Sequence, residues 1–134
     1  PALIRKCVEA KARGDDHIVA WGTGSASREF LYVDDAANGI LLATEKYNKD
    51  APVNLGASRE ISIKELLELI VELTGFEGEI RWDSTKPDGQ PRRALNTDRA
   101  KEEFGFESQM DFRQGLKNTI EWYLATSGLQ QTAP

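Results

Sequence analysis

Residues Trp21 to Asp35 read W-G-T-G-S-A-S-R-E-F-L-Y-V-D-D, and the rest of the chain is organised around them. Trp21 offers a flat face on which a base or sugar can stack, or else a large apolar group for the core; the sequence leaves both readings open. Gly22 and Gly24 permit a tight turn, because glycine adopts positive φ without strain. Arg28 carries a rigid fork of donors that matches a pair of phosphate oxygens. A surface pair with Glu29 or Asp34 would engage the same fork, and such pairs stabilise little. Phe30-Leu31-Tyr32-Val33 reads as a short strand, with Asp34 as the cap of the helix that follows. The stretch is a binding element rather than a catalytic one.

Upstream, residues 2–13 carry Leu3, Ile4, Cys7 and Val8 at helical spacing and end at Gly14. Pro1 opens the chain almost inside this helix, from which a truncated chain is expected. A strand at 18–21 leads into the glycine turn. Downstream, residues 35–47 read as a helix and Val53-Asn54-Leu55-Gly56 as a short strand. Ser62 and Glu65 have the spacing of a capping box, with Ile61 and Leu66 placed for the accompanying hydrophobic staple. That helix stops at Gly75, and a strand at 79–83 follows. Two prolines and a glycine make 84–97 a long loop, a kind of segment that is functional or disordered. A short helix over 99–104 and a final helix capped by Asp111 complete the chain, with 127–134 as a frayed tail.

At 134 residues, 40% hydrophobic and 29% charged, the chain is one domain of ordinary globular composition. Its single cysteine, Cys7, excludes an internal disulfide and fits a reducing cytoplasm. One cysteine and one histidine, His17, leave no basis for a zinc site. A net charge of −5 disfavours nucleic acid as a partner. No apolar run is long enough to span a membrane. The charge is uneven, however. Arg81, Lys86, Arg92, Arg93, Arg99 and Lys101 face only Asp83, Asp88 and Asp98 across residues 81–101. That local excess is either a solvated loop or a surface for a small anion such as a diphosphate.

The catalytic inventory is thin. Gly22-x-Gly24 lacks the third glycine and the immediate helix of a dinucleotide fingerprint, since Ser27 stands at the third position. No Walker A pattern, no Tyr-x-x-x-Lys and no Ser-His-Asp set is present. Residues alone support an α/β domain with one candidate anion-binding surface.

Four segments together carry a resemblance: residues 21–35, V-N-L-G at 53–56, I-S-I-K-E-L at 61–66, and S-T-K-P-D-G-Q-P-R-R at 84–93. They resemble the C-terminal part of the GDP-L-fucose synthase family. That family belongs to the extended short-chain dehydrogenases of the NAD-dependent epimerase/dehydratase group. The likeness implies a mixed α/β fold with short strands and about four or five helices. It implies a substrate-binding domain over residues 1–126, a tail at 127–134 and no Rossmann domain in the chain. It implies a GDP-sugar as ligand, with NADP(H) held by a missing N-terminal Rossmann domain and not by this chain. By motif, Leu3, Lys6, Trp21, Arg28, Lys86 and Asp88 correspond to the family's substrate contacts. The family's catalytic serine, tyrosine, lysine, cysteine and histidine have no counterparts, so no turnover is expected from the chain alone. A cytoplasmic location and a tendency to dimerise or swap elements through uncovered apolar surface are further expectations.

Overall fold

Ten elements follow one another in the computed structural model, which describes residues 1–128. Helix α1 (Ala2–Arg13) ends at Gly14, whose φ of 72° makes the left-handed stop expected from glycine. Strand β1 (His17–Trp21) leads into the glycine turn, and β2 (Ser27–Glu29) follows it. Helix α2 spans Val33–Lys46, β3 spans Glu60–Ser62, and α3 spans Ile63–Thr74. Strand β4 (Glu79–Asp83), the two-residue β5 (Arg92–Arg93), α4 (Asp98–Phe104) and α5 (Phe112–Thr126) complete the order. Among the described residues the fold is mixed α/β with five helices, within the four or five expected from the resemblance. Among the described residues no helix is long and apolar enough to cross a membrane. The expected tail at 127–134 lies, from residue 129 onward, outside the described residues.

The strands form two small sheets. β1 and β4 run parallel, with Trp21 opposite Asp83. β2 is central in the other, antiparallel to β3 and parallel to β5, with Arg28 opposite Ile61 on one side and Arg93 on the other.

Two cores hold these elements. Ile4, Cys7 and Val8 of α1 pack with Ile18 and Ala20 of β1, Leu66, Leu67 and Ile70 of α3, and Ile120 of α5. Burial of the leucine, isoleucine and valine side chains among them stabilises by about 1.5–3 kcal/mol each. A second core is built on Ala100, Phe104 and Phe106, covered by Leu31, Leu42, Tyr47, Val53 and Leu55. Gly39 lets α2 approach it, since a Cβ there would stand 2.9 Å from the Phe106 ring. The capping box forms as expected. Ser62 Oγ accepts from the N–H of Glu65, and the Glu65 carboxylate accepts from the N–H of Ser62. Asp111 caps α5 through the N–H of Gln114.

Three local expectations are corrected. Phe30-Leu31-Tyr32-Val33 is not a strand, because β2 ends at Glu29, opposite the first residue of β3 and one residue past its last partner in β5. Val53 to Gly56 forms no strand either, because among the described residues no other strand lies beside it to take its hydrogen bonds. Asp34 does not cap α2. The helix starts two residues earlier with Tyr32 at its N-cap and no side-chain cap bond, which leaves Asp34 within the first turn. Its neighbour Asp35 is 8% exposed and turns inward to another task.

That task is to tie the 108–110 segment to α2. The Ser108 hydroxyl and the N–H groups of Gln109 and Met110 donate to Asp35 Oδ2, at 2.7, 3.2 and 3.0 Å. Burial pushes this carboxyl up, but the three donors outweigh it and hold it below the usual carboxylate range. Glu29 plays a similar part between β2 and two loops. Its carboxylate accepts from the N–H groups of Ala57, Ser58 and Leu95.

Candidate nucleotide-sugar site

Strand β1 ends by placing Trp21 at the surface, where its side chain is 68% exposed. Of the two readings of this residue, the core one therefore falls. Alternation along β1 sends Ile18 and Ala20 into the core and Val19 and Trp21 outward. The chain then turns on Gly22 and Gly24, with φ of 78° and 76°. Trp82 packs beneath, and a Cβ on Gly24 would come within 2.5 Å of its ring.

The loop after β4 folds back over this turn. Asp83 starts it by accepting from the N–H and the hydroxyl of Thr85, and its carbonyl accepts from the N–H of Lys86. The Lys86 ammonium stands 5.8 Å from the centre of the Trp21 ring, a cation–π distance. Asp88 then meets the glycine turn, where the Thr23 N–H and hydroxyl donate to its two oxygens at 2.6 and 2.8 Å. The N–H and then the hydroxyl of Thr23, with the N–H of Gly24, hold the Asp88 carboxyl below the usual range against slight desolvation.

Arg28 forms no pair with Glu29 or Asp34. Its Nη1 donates to the carbonyls of Ser27 and Gln90, at 2.6 and 2.7 Å, and so ties β2 to the same loop. Lys6 reaches from α1 to the carbonyl of Val19, two residues before Trp21 on the same outward face of β1. Trp21, Arg28, Lys86 and Asp88 thus meet around one turn and one loop, with Lys6 beside them. Leu3 stands apart from that group. It borders an apolar groove of about 540 Å³ between the start of α1, α3 and α5, with Phe30, Leu66, Phe112 and Leu116. Arg59 also borders the groove, 5.3 Å over the Phe112 ring.

Half of the basic residues of 81–101 are paired with acids. Arg81 pairs with Glu79, Arg92 with Glu60, and Lys101 with Glu107, while Arg99 donates to the Pro52 carbonyl. Among the described residues Lys86 and Arg93 keep no acidic partner, and both lie at the site. Sequence reasoning missed Glu29 as the anchor of the site's floor. A carboxylate at the end of a short strand, next to Arg28, was the available signal.

Cys7 is fully buried, and burial pushes its thiol up to about 11, which makes it inert. His17 pairs with Asp16 at the foot of β1. Among the described residues no group of histidine, cysteine and carboxylate side chains can hold a metal ion. The glycine turn does not fit a dinucleotide cofactor. Its Thr23 N–H is already taken by Asp88, and a strand follows it rather than a helix N-terminus.

The model of the NAD dependent epimerase/dehydratase family matches residues 1–56. The chain is 44% identical over 124 residues to GDP-L-fucose synthase 1 of Arabidopsis thaliana, covering 92% of itself and 38% of that protein. In structure it is similar to a GDP-L-fucose synthetase of Naegleria fowleri bound to NADP. The TM-score is 0.89 at 29% identity, over 96% of this chain and 40% of that one. It is also similar to UDP-glucose 4-epimerase of Thermotoga maritima with UDP-glucose, with a TM-score of 0.80 at 29% identity, over 93% and 40% of the two chains. The chain spans about two fifths of the length of the relatives it matches. By sequence and by fold the chain resembles part of the NAD dependent epimerase/dehydratase family, and within that family part of the GDP-L-fucose synthases.

Proposed function

We infer that this chain is the substrate-binding part of an NADP-dependent epimerase-reductase acting on a GDP-linked 4-keto-6-deoxy sugar. The observation that carries this reading is the meeting of Trp21, Lys86 and Arg28 around the Gly22–Gly24 turn. An exposed indole takes the flat face of a base or sugar. Arg28, Lys86 and Lys6, with Arg93 beside Arg28 in the sheet, supply positive charge for a diphosphate. Asp88 belongs to the loop that covers the nucleotide, while Leu3 borders the neighbouring apolar groove rather than this cluster.

The remaining chemistry lies outside this chain in the same reading. A Rossmann domain in the rest of the protein holds NADP and the groups that move protons and hydride. Helix α2 supports such a partner, because Val33, Ile40 and Leu41 are each more than half exposed on it. The chain by itself then binds without turning over, and mixing it with NADPH and the keto-sugar leaves NADPH unoxidised.

A second reading keeps the site and changes the base, and the likeness to UDP-glucose 4-epimerase favours it. Calorimetric titration with GDP and with UDP separates the two, with Arg28→Ala as control. Saturable GDP binding that weakens in the variant supports the GDP reading, and preferential UDP binding supports the second. Binding of both nucleotides that is indifferent to Arg28 contradicts the site itself.

A further inference from the structure

We propose that Asp88 is a positioning residue, a latch that holds the 84–91 loop closed on the Gly22–Gly24 turn and thereby sets Lys86 and Arg28 against the Trp21 face. Both of its carboxylate oxygens are engaged within the chain, Oδ1 by the Thr23 N–H at 2.6 Å and Oδ2 by the Thr23 hydroxyl at 2.8 Å. Ser25 Oγ lies 2.9 Å from that hydroxyl oxygen and continues the network into the turn.

Gly22 gives an independent indication. A Cβ built there would stand 2.2 Å from Asp88 Oδ1, so any side chain at position 22 evicts the carboxylate. The glycine therefore makes room for Asp88, and the turn cradles an anion of its own chain rather than one from a ligand. A negative group so placed is a poor contact for a diphosphate. Its effect passes instead through the residues on either side of it. Lys86, two positions before, is carried over Trp21. Gln90, two positions after, presents its carbonyl to Arg28 Nη1 at 2.7 Å. Gly89 between them turns at a φ of 76°, and Arg28 Nη2 lies at ordinary contact distance, 3.7 Å, from where a Cβ would stand. One carboxylate thus fixes both cations relative to the indole.

The latch stands on this geometry alone, while its consequence for ligand binding rests on the nucleotide-sugar reading above. Amide hydrogen exchange of the ligand-free chain tests the latch. In Asp88→Ala the Thr23 amide exchanges about tenfold faster, as expected for losing a bond to a charged acceptor, while Leu67 and Ile70 keep their protection. Asp88→Asn, which retains one acceptor oxygen, falls between. Unchanged exchange at Thr23 in Asp88→Ala overturns the proposal.

A double-mutant cycle with GDP tests the consequence. Asp88→Ala weakens GDP binding in the native background and has a smaller further effect once Lys86→Ala or Arg28→Ala is present. An equal loss in the native, Lys86→Ala and Arg28→Ala backgrounds means that Asp88 acts through neither cation and overturns the positioning role. Failure of the native chain to bind GDP contradicts the nucleotide reading, and the exchange result then judges the latch by itself.

Discussion

Asp35, in the first turn of α2, accepts three hydrogen bonds at one carboxylate oxygen, and the N–H of Met110, 75 residues away, is among its donors at 3.0 Å. This relationship ties the segment that leads into α5 to the first turn of α2. Asp35→Ala leaves the three donors without a partner in a partly buried setting. The expected cost is about 2–3 kcal/mol, read as a lower urea midpoint at unchanged slope.

The same residue predicts an acid sensitivity. Its folded carboxyl lies below the ordinary value of 3.8, so the charged form is the one the fold favours. The contribution is fully present above that ordinary value and is lost as the pH falls through the lower folded one. The gap in stability between the native chain and Asp35→Ala should therefore stay constant from neutral pH down to about 5 and narrow below about 4. A gap that widens on acidification would contradict the assignment.

Ser62 carries the start of α3, the helix that contributes Leu66, Leu67 and Ile70 to the main core. Ser62→Ala removes the acceptor for the Glu65 N–H and half of the capping box. A loss of about 1 kcal/mol is expected, and Glu65→Gln, which can still accept from the Ser62 N–H, should lose less. Chemical denaturation of both variants checks the order.

Gly24 closes down on Trp82 in a left-handed conformation. Gly24→Ala combines backbone strain with overpacking, and a loss of about 1–3 kcal/mol follows. A Trp82 emission shift should accompany it, because the ring has to move. Gly14→Ala strains the backbone alone, with open space at its Cβ, and should cost less.

Helix α2 bears Val33, Ile40 and Leu41 outward on the side away from Phe106 and Leu55. Uncovered apolar surface of this kind drives association. Sedimentation of the chain should show weight-average mass rising with concentration, and Ile40→Lys with Leu41→Lys should abolish the rise. A concentration-independent monomer would contradict the reading of this face as a docking surface.

Local signals were the legible part of the fold. The capping box at Ser62 and Glu65, the glycine stops at Gly14, Gly75 and Gly105, and the Asp111 cap depend on neighbours a few residues away. The errors arose where the answer depended on distant partners. Phe30–Val33 and Val53–Gly56 have strand-like composition, but a strand needs a ladder, and none runs beside them among the described residues. Asp34 looked like a cap because two aspartates preceded a helical pattern, yet the inward one, Asp35, serves a segment some 75 residues on. In the site, residue types were readable and roles were not. Trp21, Arg28 and Lys86 could be named from the sequence. That Glu29 and Asp88 hold backbone N–H groups more than 60 residues away could not.

The most direct test of the account is a tryptophan indole N–H titration with GDP, because the three tryptophans report on different surfaces. Trp21 stands in the site, Trp82 lies beneath it, and Trp122 is exposed on α5. The account predicts that GDP shifts the Trp21 indole signal saturably, with a smaller response at Trp82 and none at Trp122, and that Arg28→Ala weakens the titration at least several-fold. A saturable response that leaves Trp21 unmoved, or that centres on the groove around Leu3 and Phe112, would contradict it.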